Sequence, residues 1–197
     1  MAALLLWRYP LPIGPDVVSE LRRADADEVE ALLLAAFPGP EEAALVRALR
    51  AEGAMVAEWV MRWQGRIGAY AGISRMVAPA GWFALAPVAV LPEWQNGALA
   101  ADRPGLQNHF RFGSRIVRQA ASLFVDHADL LRKTWALDAA PTLVVVGKPS
   151  FYARCGFSAK RAARLRSPWP AANTLIAREG QDIPEERLVY PRAFDGL

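Results

Sequence analysis

The sequence predicts an α/β chain of the α+β kind, with a mixed, mostly antiparallel central sheet flanked by helices. Three observations predict it. Apolar residues recur at helical spacing early in the chain, and three β-rich runs with short connections follow across residues 55–91. Residues 142–157 then read TLVVVGKPSFYARCGF, a strand, a turn and a short helix in succession. At 197 residues and 53% hydrophobic content the chain can bury one good core, so a single domain is expected over residues 17–197. Residues 1–16 are expected to be an irregular tail, because Pro10, Pro12 and Pro15 deny it regular hydrogen bonding.

Val17, Val18 and Leu21 suggest a first strand. Asp25 suits the N-cap of a helix whose apolar positions Val29, Leu32, Leu33 and Phe37 recur at helical spacing, until Gly39 and Pro40 interrupt it. A second helix over residues 41–50 has acidic residues in its first turn and Arg47 and Arg50 in its last, matching the helix dipole at both ends. Strands follow, with Trp63, Gln64, Gly65 and Arg66 as a hairpin turn between two β-rich runs and residues 82–91 as a third. Their connections are too short for helical crossovers, which predicts an antiparallel meander.

The next element is one helix over residues 113–131, where Ile116, Ala120, Leu123, Phe124 and Leu131 describe a single apolar stripe. Thr142, Leu143, Val144, Val145 and Val146 then read as a strand buried on both faces. Gly147 permits a sharp turn, Pro149 suits the first helical position, and Gly156 sits where a left-handed cap is expected. The short helix carries Tyr152 just beyond the carboxyl end of a buried strand, where sheets of this kind bind ligands. A hydroxyl placed there can protonate a leaving group. A closing strand runs through Leu175 and Ile176.

The formal charge is +3, and only three of the basic residues are lysines, which suits an anionic small ligand. The densest basic stretch, residues 160–166, contains no aromatic residue, so it reads as a solvated face and nucleic acid is not an expected partner. Cys155, the single cysteine, excludes an intrachain disulfide and reads as a small buried hydrophobe. The amino terminus lacks the basic region of a signal peptide, and no apolar run approaches the roughly 18 residues needed to span a bilayer. No membrane association and a cytoplasmic location are expected.

The element order, with LAPVAVLPEWQ at residues 85–95 and GKPSFYARCGF at 147–157, resembles the GNAT superfamily of acyl-CoA-dependent N-acyltransferases. GxPxFYxRxGF together with the terminal YPRAF is similar, more narrowly, to a bacterial subgroup of predicted acetyltransferases. The resemblance spans residues 17–197 and implies transfer of an acetyl or short acyl group from acyl-CoA to a primary amine by direct attack. It implies acetyl-CoA as cosubstrate, no metal, and a small-molecule or peptide amine as acceptor, and it leaves a homodimer open. Val88, Ala89 and Val90 match the superfamily's splayed central strand, which receives the pantetheine arm as another strand would be received. Pro87 fits there because it cannot donate to a ladder. A backbone N–H near Val88 would be the oxyanion donor. Tyr152 matches the general acid toward the departing thiolate, Phe151 reads as packing, and Arg154 as a surface or phosphate-side contact.

The superfamily's pyrophosphate loop, a glycine-rich turn of amides at a helix start, is disturbed here. Gln95 stands where that motif opens, but alanine occupies the required glycine position after it. RFGSR offers a second match, with Gly113 and Ser114 at the helix start and Arg111 or Arg115 supplying charge to phosphate. The second match is preferred, because a long helical stripe follows Gly113, and it leaves residues 96–110 as an insertion. Residues 126–141 form a second expansion. The candidate bases are Glu58, Glu93, His109 and His127, none singled out over bulk water. Two other readings compete with the enzyme. One is a catalytically degenerate module that binds acyl-CoA or a protein partner without turnover, motivated by the broken glycine motif. The other is a structural homo-oligomer using Trp7, Trp135 and Trp169 on its surface.

Overall fold

The computed structural model describes residues 18–63, 65–95 and 112–197. Six strands form one sheet in sequence order. They are β1 (Val18–Glu20), β2 (Met55–Trp63), β3 (Arg66–Arg75), β4 (Trp82–Val90), β5 (Thr142–Val146) and β6 (Thr174–Ala177). All neighbouring pairs are antiparallel except β4 and β5, which run parallel. The expected mixed, mostly antiparallel sheet is therefore present. Two helices, α1 (Ala26–Ala36) and α2 (Glu41–Ala51), connect β1 to β2, and α3 (Phe112–Asp126) and α4 (Ala128–Thr134) lie between β4 and β5. The last, α5 (Pro149–Tyr152), follows β5 and continues as a 3-10 turn over Ala153–Cys155.

The apolar stripe of α1 buries Val29, Leu32 and Leu33 against the sheet. Phe37 falls outside this helix, in extended backbone, since the proline after it disfavours helical geometry. Asp25 does stand at the N-cap, but its carboxylate does not cap α1. It accepts the Arg22 N–H at 2.9 Å and pairs with Arg62 at 2.6 Å, tying the start of α1 to β2. β1 covers Val18–Glu20, while Leu21 lies just past it and donates its N–H to the Glu58 carbonyl.

The single helix expected over residues 113–131 is two. His127 leaves helical geometry at φ −124° and ψ 26°, and a new helix begins at Ala128. Both pieces keep the same buried side, through Ile116, Phe124 and Leu131, which is why the stripe read as continuous. Residues 126–141, expected as an expanded connection, are thus partly occupied by α4. Trp135, expected on the surface, belongs to the core. Its ring lies 4.5 Å from Phe83 and 5.9 Å from Phe124, and Phe83 and Phe124 meet edge-on at 5.5 Å. Trp7 and the tail lie outside the described residues, as do Gln64 and residues 96–111.

Candidate active site

The parallel ladder between β4 and β5 is short. It pairs Trp82 with Thr142, Phe83 with Leu143 and Ala84 with Val144, and there it stops. Beyond Ala84, β4 continues to Val90 paired with β3, while Val145 and Val146 pair with β6. The two strands part, and each keeps a neighbour on its far side only. The cause is visible on β4. Ala71 faces Val88 and Ile73 faces Leu85, so Ala86 and Pro87 together oppose Gly72, which is a β-bulge. Pro87 has no N–H to lose there. Gly72 is needed at this crowded spot, since a Cβ on it would come within 3.0 Å of both the Ala86 carbonyl and the Tyr70 hydroxyl.

The bulge decides which backbone groups face the gap. Leu91 donates its N–H to the Gly68 carbonyl at 3.0 Å, so residue 91 points toward β3. Amide direction alternates along a strand. Ala89 therefore also faces β3, whereas the N–H groups of Val88 and Val90 face the side from which β5 has departed. The Val90 carbonyl on that side accepts the Gln95 side-chain amide at 2.9 Å. Gln95 thus closes over the end of β4. Trp94 packs against Gly68 at the same exit, where any Cβ would collide with the indole, and the Arg66 guanidinium lies 5.9 Å from the Trp94 ring centre.

Three elements converge on this edge. α3 begins at Phe112, so Gly113 and Ser114 stand in its first turn. Gly113 lies against β4 and α5 at once, since a Cβ there would sit 3.0 Å from Val90 Cγ2 and 3.9 Å from Phe151 Cζ. The Ser114 carbonyl accepts the Cys155 thiol at 3.7 Å, and Arg118 reaches the Arg154 carbonyl at 3.4 Å. Arg115 is solvent-exposed on the same helix, and Arg111 lies outside the described residues. Phe151 is the packing residue that it was expected to be, meeting Tyr152 edge-on at 5.0 Å.

Tyr152 is half-buried, with Phe157 on its other side at 5.8 Å and its ring over the backbone of Gly147. Among the described residues its hydroxyl makes no hydrogen bond. Burial, with a smaller contribution from Cys155, pushes its pKa up to about 12, so the phenol keeps its proton throughout the neutral range. Val88, Val90, Phe151 and Tyr152 all pack against the same core cluster. Cys155 is buried as expected, and burial raises its pKa against the opposing pull of Arg118 and Arg154, which keeps it a thiol.

The candidate bases are placed elsewhere. Glu58 accepts hydrogen bonds from Arg50, the shortest 2.6 Å, and from the Tyr70 hydroxyl at 2.8 Å. Glu93 pairs with Arg66 at 3.3 Å on the surface. His127 closes the far end of α3, about 20 Å from Gly113 at 1.5 Å per helical residue. His109 lies outside the described residues.

On the other side of the strand separation a cavity of about 460 Å³ opens, which sequence reasoning missed. Its floor is Ala84–Ala86 with Val144 and Val146, the residues flanking the point where β4 and β5 part. The junction of α1 and α2 supplies Glu41 and Glu42, and the C-terminal segment supplies Trp169, Tyr190 and Phe194. The terminal YPRAF motif was the available signal, but it is contiguous with the cavity only because Val189 pairs with Ala78 and folds the end of the chain back over the sheet.

Among the described residues no three His, Cys, Asp or Glu side chains cluster to hold a metal ion, and no helix is long and apolar enough to cross a membrane. No protein-family model and no curated protein matches the sequence. Solved structures do match the fold. A GNAT family N-acetyltransferase from Escherichia coli, YhbS, solved in complex with CoA, superposes with a TM-score of 0.65 at 22% identity, over 95% of this chain and 96% of its own. A GNAT family acetyltransferase from Brucella melitensis, solved with acetyl-CoA, superposes with a TM-score of 0.60 at 23% identity, over 91% of this chain and 98% of its own. With its mixed sheet in this strand order and helices packed around it, this chain has the GNAT acetyltransferase fold.

Proposed function

We propose that the chain is an N-acyltransferase that moves an acetyl or short acyl group from acyl-CoA to a primary amine by direct attack. The observation that carries this reading is the open edge of β4. An extended chain of amides fits there as a strand would, with the Val88 and Val90 N–H groups turned toward it and no residue of β5 competing. The site fits the pantetheine arm of CoA for that reason, and both CoA-bound structural neighbours share the fold. Gly113, Ser114 and Arg115 at the start of α3, with Arg111, are the residues proposed to hold its phosphates.

In this reading the Val88 N–H stabilises the oxyanion as the amine lone pair forms the new N–C bond. Removing one donor of this kind costs about 3–4 kcal/mol in enzymes where it has been measured. Collapse breaks the C–S bond, and the Tyr152 hydroxyl gives its proton to the leaving thiolate, a role worth about 100- to 10,000-fold. An ammonium acceptor sheds two protons on becoming an amide. One restores the Tyr152 phenol and the other leaves to solvent. Glu58 is held by Arg50 and Tyr70 and is not assigned as the base.

Calorimetric titration with acetyl-CoA and steady-state assay of Tyr152→Phe test the reading together. Saturable binding with turnover that falls at least about 100-fold in the variant supports it. Unchanged turnover at every pH removes Tyr152 as acid. Binding without turnover on any amine assigns the chain instead as an acyl-CoA-binding module, and no binding at millimolar ligand removes both.

A further inference from the structure

We propose that the acceptor is a cationic primary amine with an apolar or aromatic body, bound in the cavity beside the strand separation. The assignment of this cavity to the acceptor rests on the acyltransfer reading above. Its walls select what enters it. At about 460 Å³ it lies within the roughly 300–1,000 Å³ of ordinary small-molecule sites. Its floor is entirely alanine, leucine and valine side chains. One wall is a continuous aromatic surface, with Trp169 edge-on to Tyr190 at 6.5 Å and Tyr190 against Phe194 at 5.1 Å. A sugar or a polyhydroxylated amine would lose its water against the alanine, leucine and valine floor without gaining hydrogen bonds there. An aryl or alkyl body loses nothing and buries apolar area.

The charge of the lining points the same way. Glu41 and Glu42 are its charged side chains, and no lysine, arginine or histidine is among the residues described around it. Both glutamates stand in the first turn of α2, and neither forms an ion pair or side-chain hydrogen bond among the described residues. The Glu41 carboxylate folds back over Gly39, where a Cβ would strike it, so the junction of α1 and α2 holds that carboxylate at the rim. By contrast Glu58 on β2 is paired with Arg50, and Glu28 and Glu30 on α1 are paired with Arg62 and Arg47. Two carboxylates beside an aromatic wall attract an ammonium by Coulomb and cation–π terms and repel a carboxylate.

The test is calorimetric titration of the full chain, without acyl-CoA, with 2-phenylethylamine, its neutral analogue 2-phenylethanol, and glucosamine. We expect 2-phenylethylamine to bind at least about tenfold more tightly than either of the others. Changing Glu41→Gln and Glu42→Gln together should erase that margin by weakening the amine about tenfold while leaving 2-phenylethanol unchanged. Trp169→Ala should weaken both aryl compounds, with a thermal melt establishing that the variant is folded. Glucosamine binding as tightly as 2-phenylethylamine overturns the proposal, as does a doubly substituted variant that retains the margin. A parallel titration with acetyl-CoA separates the two readings. If acetyl-CoA binds and 2-phenylethylamine does not, the cavity proposal fails while acyltransfer stands. If the amine binds as described and acetyl-CoA does not, the cavity is a site for such amines and acyltransfer fails.

Discussion

The ring of Tyr152 lies so close over Gly147 that a Cβ at residue 147 would penetrate its edge at Cε2. The glycine that turns the chain out of β5 is therefore also the floor on which the candidate acid rests. Gly147→Ala should displace the phenol while leaving β5 and α5 formed. We expect a loss of about 1–3 kcal/mol in stability and a fall in turnover approaching that of Tyr152→Phe. Denaturant unfolding and steady-state assay of the two variants side by side check this.

The buried tyrosines set the alkaline limit of the fold. Burial raises Tyr152 and Tyr190 to about 12 from the ordinary 10, and Tyr70 higher still through burial and the neighbouring Glu58 carboxylate. A group whose folded pKa is raised contributes stability that is fully present below its unfolded pKa and is lost as pH rises through the folded value. Stability should thus be flat with respect to these groups below pH 10 and fall between pH 10 and about 12. Denaturant melts across that window should show the decline, and Tyr190→Phe should make it shallower.

Glu58 holds the start of β2 to α2 through Arg50 and to β3 through Tyr70. Removing a partner from a fully buried pair costs about 3–5 kcal/mol, and this pair is partly solvated. Arg50→Ala should cost about 1–3 kcal/mol, and Tyr70→Phe about 1 kcal/mol from the lost hydroxyl bond. If Glu58 is not the base, Glu58→Gln should lower stability and leave the pH profile of turnover unmoved.

Gly68→Ala tests the support of the β4 exit. The added Cβ has no room beside the Trp94 indole, so Trp94 and with it Gln95 must move. We expect about 1–3 kcal/mol of destabilisation, together with weaker acetyl-CoA binding, because the Val90 carbonyl loses its partner. Paired thermal melts and titrations separate the two effects.

Much of this fold was legible in the sequence because its signals are local. β5 came out at the residues read for it, Thr142–Val146, since a β-branched run ending in glycine has few other outcomes. Pro149 opens α5, and Gly156 takes the left-handed cap at φ 99°. The break at His127 was not legible, because α3 and α4 bury the same side and periodicity alone cannot see a change of axis. Asp25 was misread as a side-chain cap because Arg62, thirty-seven positions along the chain, is its partner. The parting of β4 and β5 was expected from resemblance and not from composition, since it depends on Ala86 and Pro87 sharing one opposite residue. The cavity was illegible for the same reason. Glu41, Val146, Trp169 and Phe194 are remote in sequence and meet only through the sheet order.

Acyl-CoA docking depends on the open edge of β4, and amide-resolved NMR during titration with acetyl-CoA tests that dependence most directly. Val88 and Val90, whose N–H groups face the gap, should shift strongly and saturably, while Ala89, bonded toward β3, should shift far less. Unmoved Val88 and Val90 amides at saturating acetyl-CoA, or no saturation at all, would contradict it.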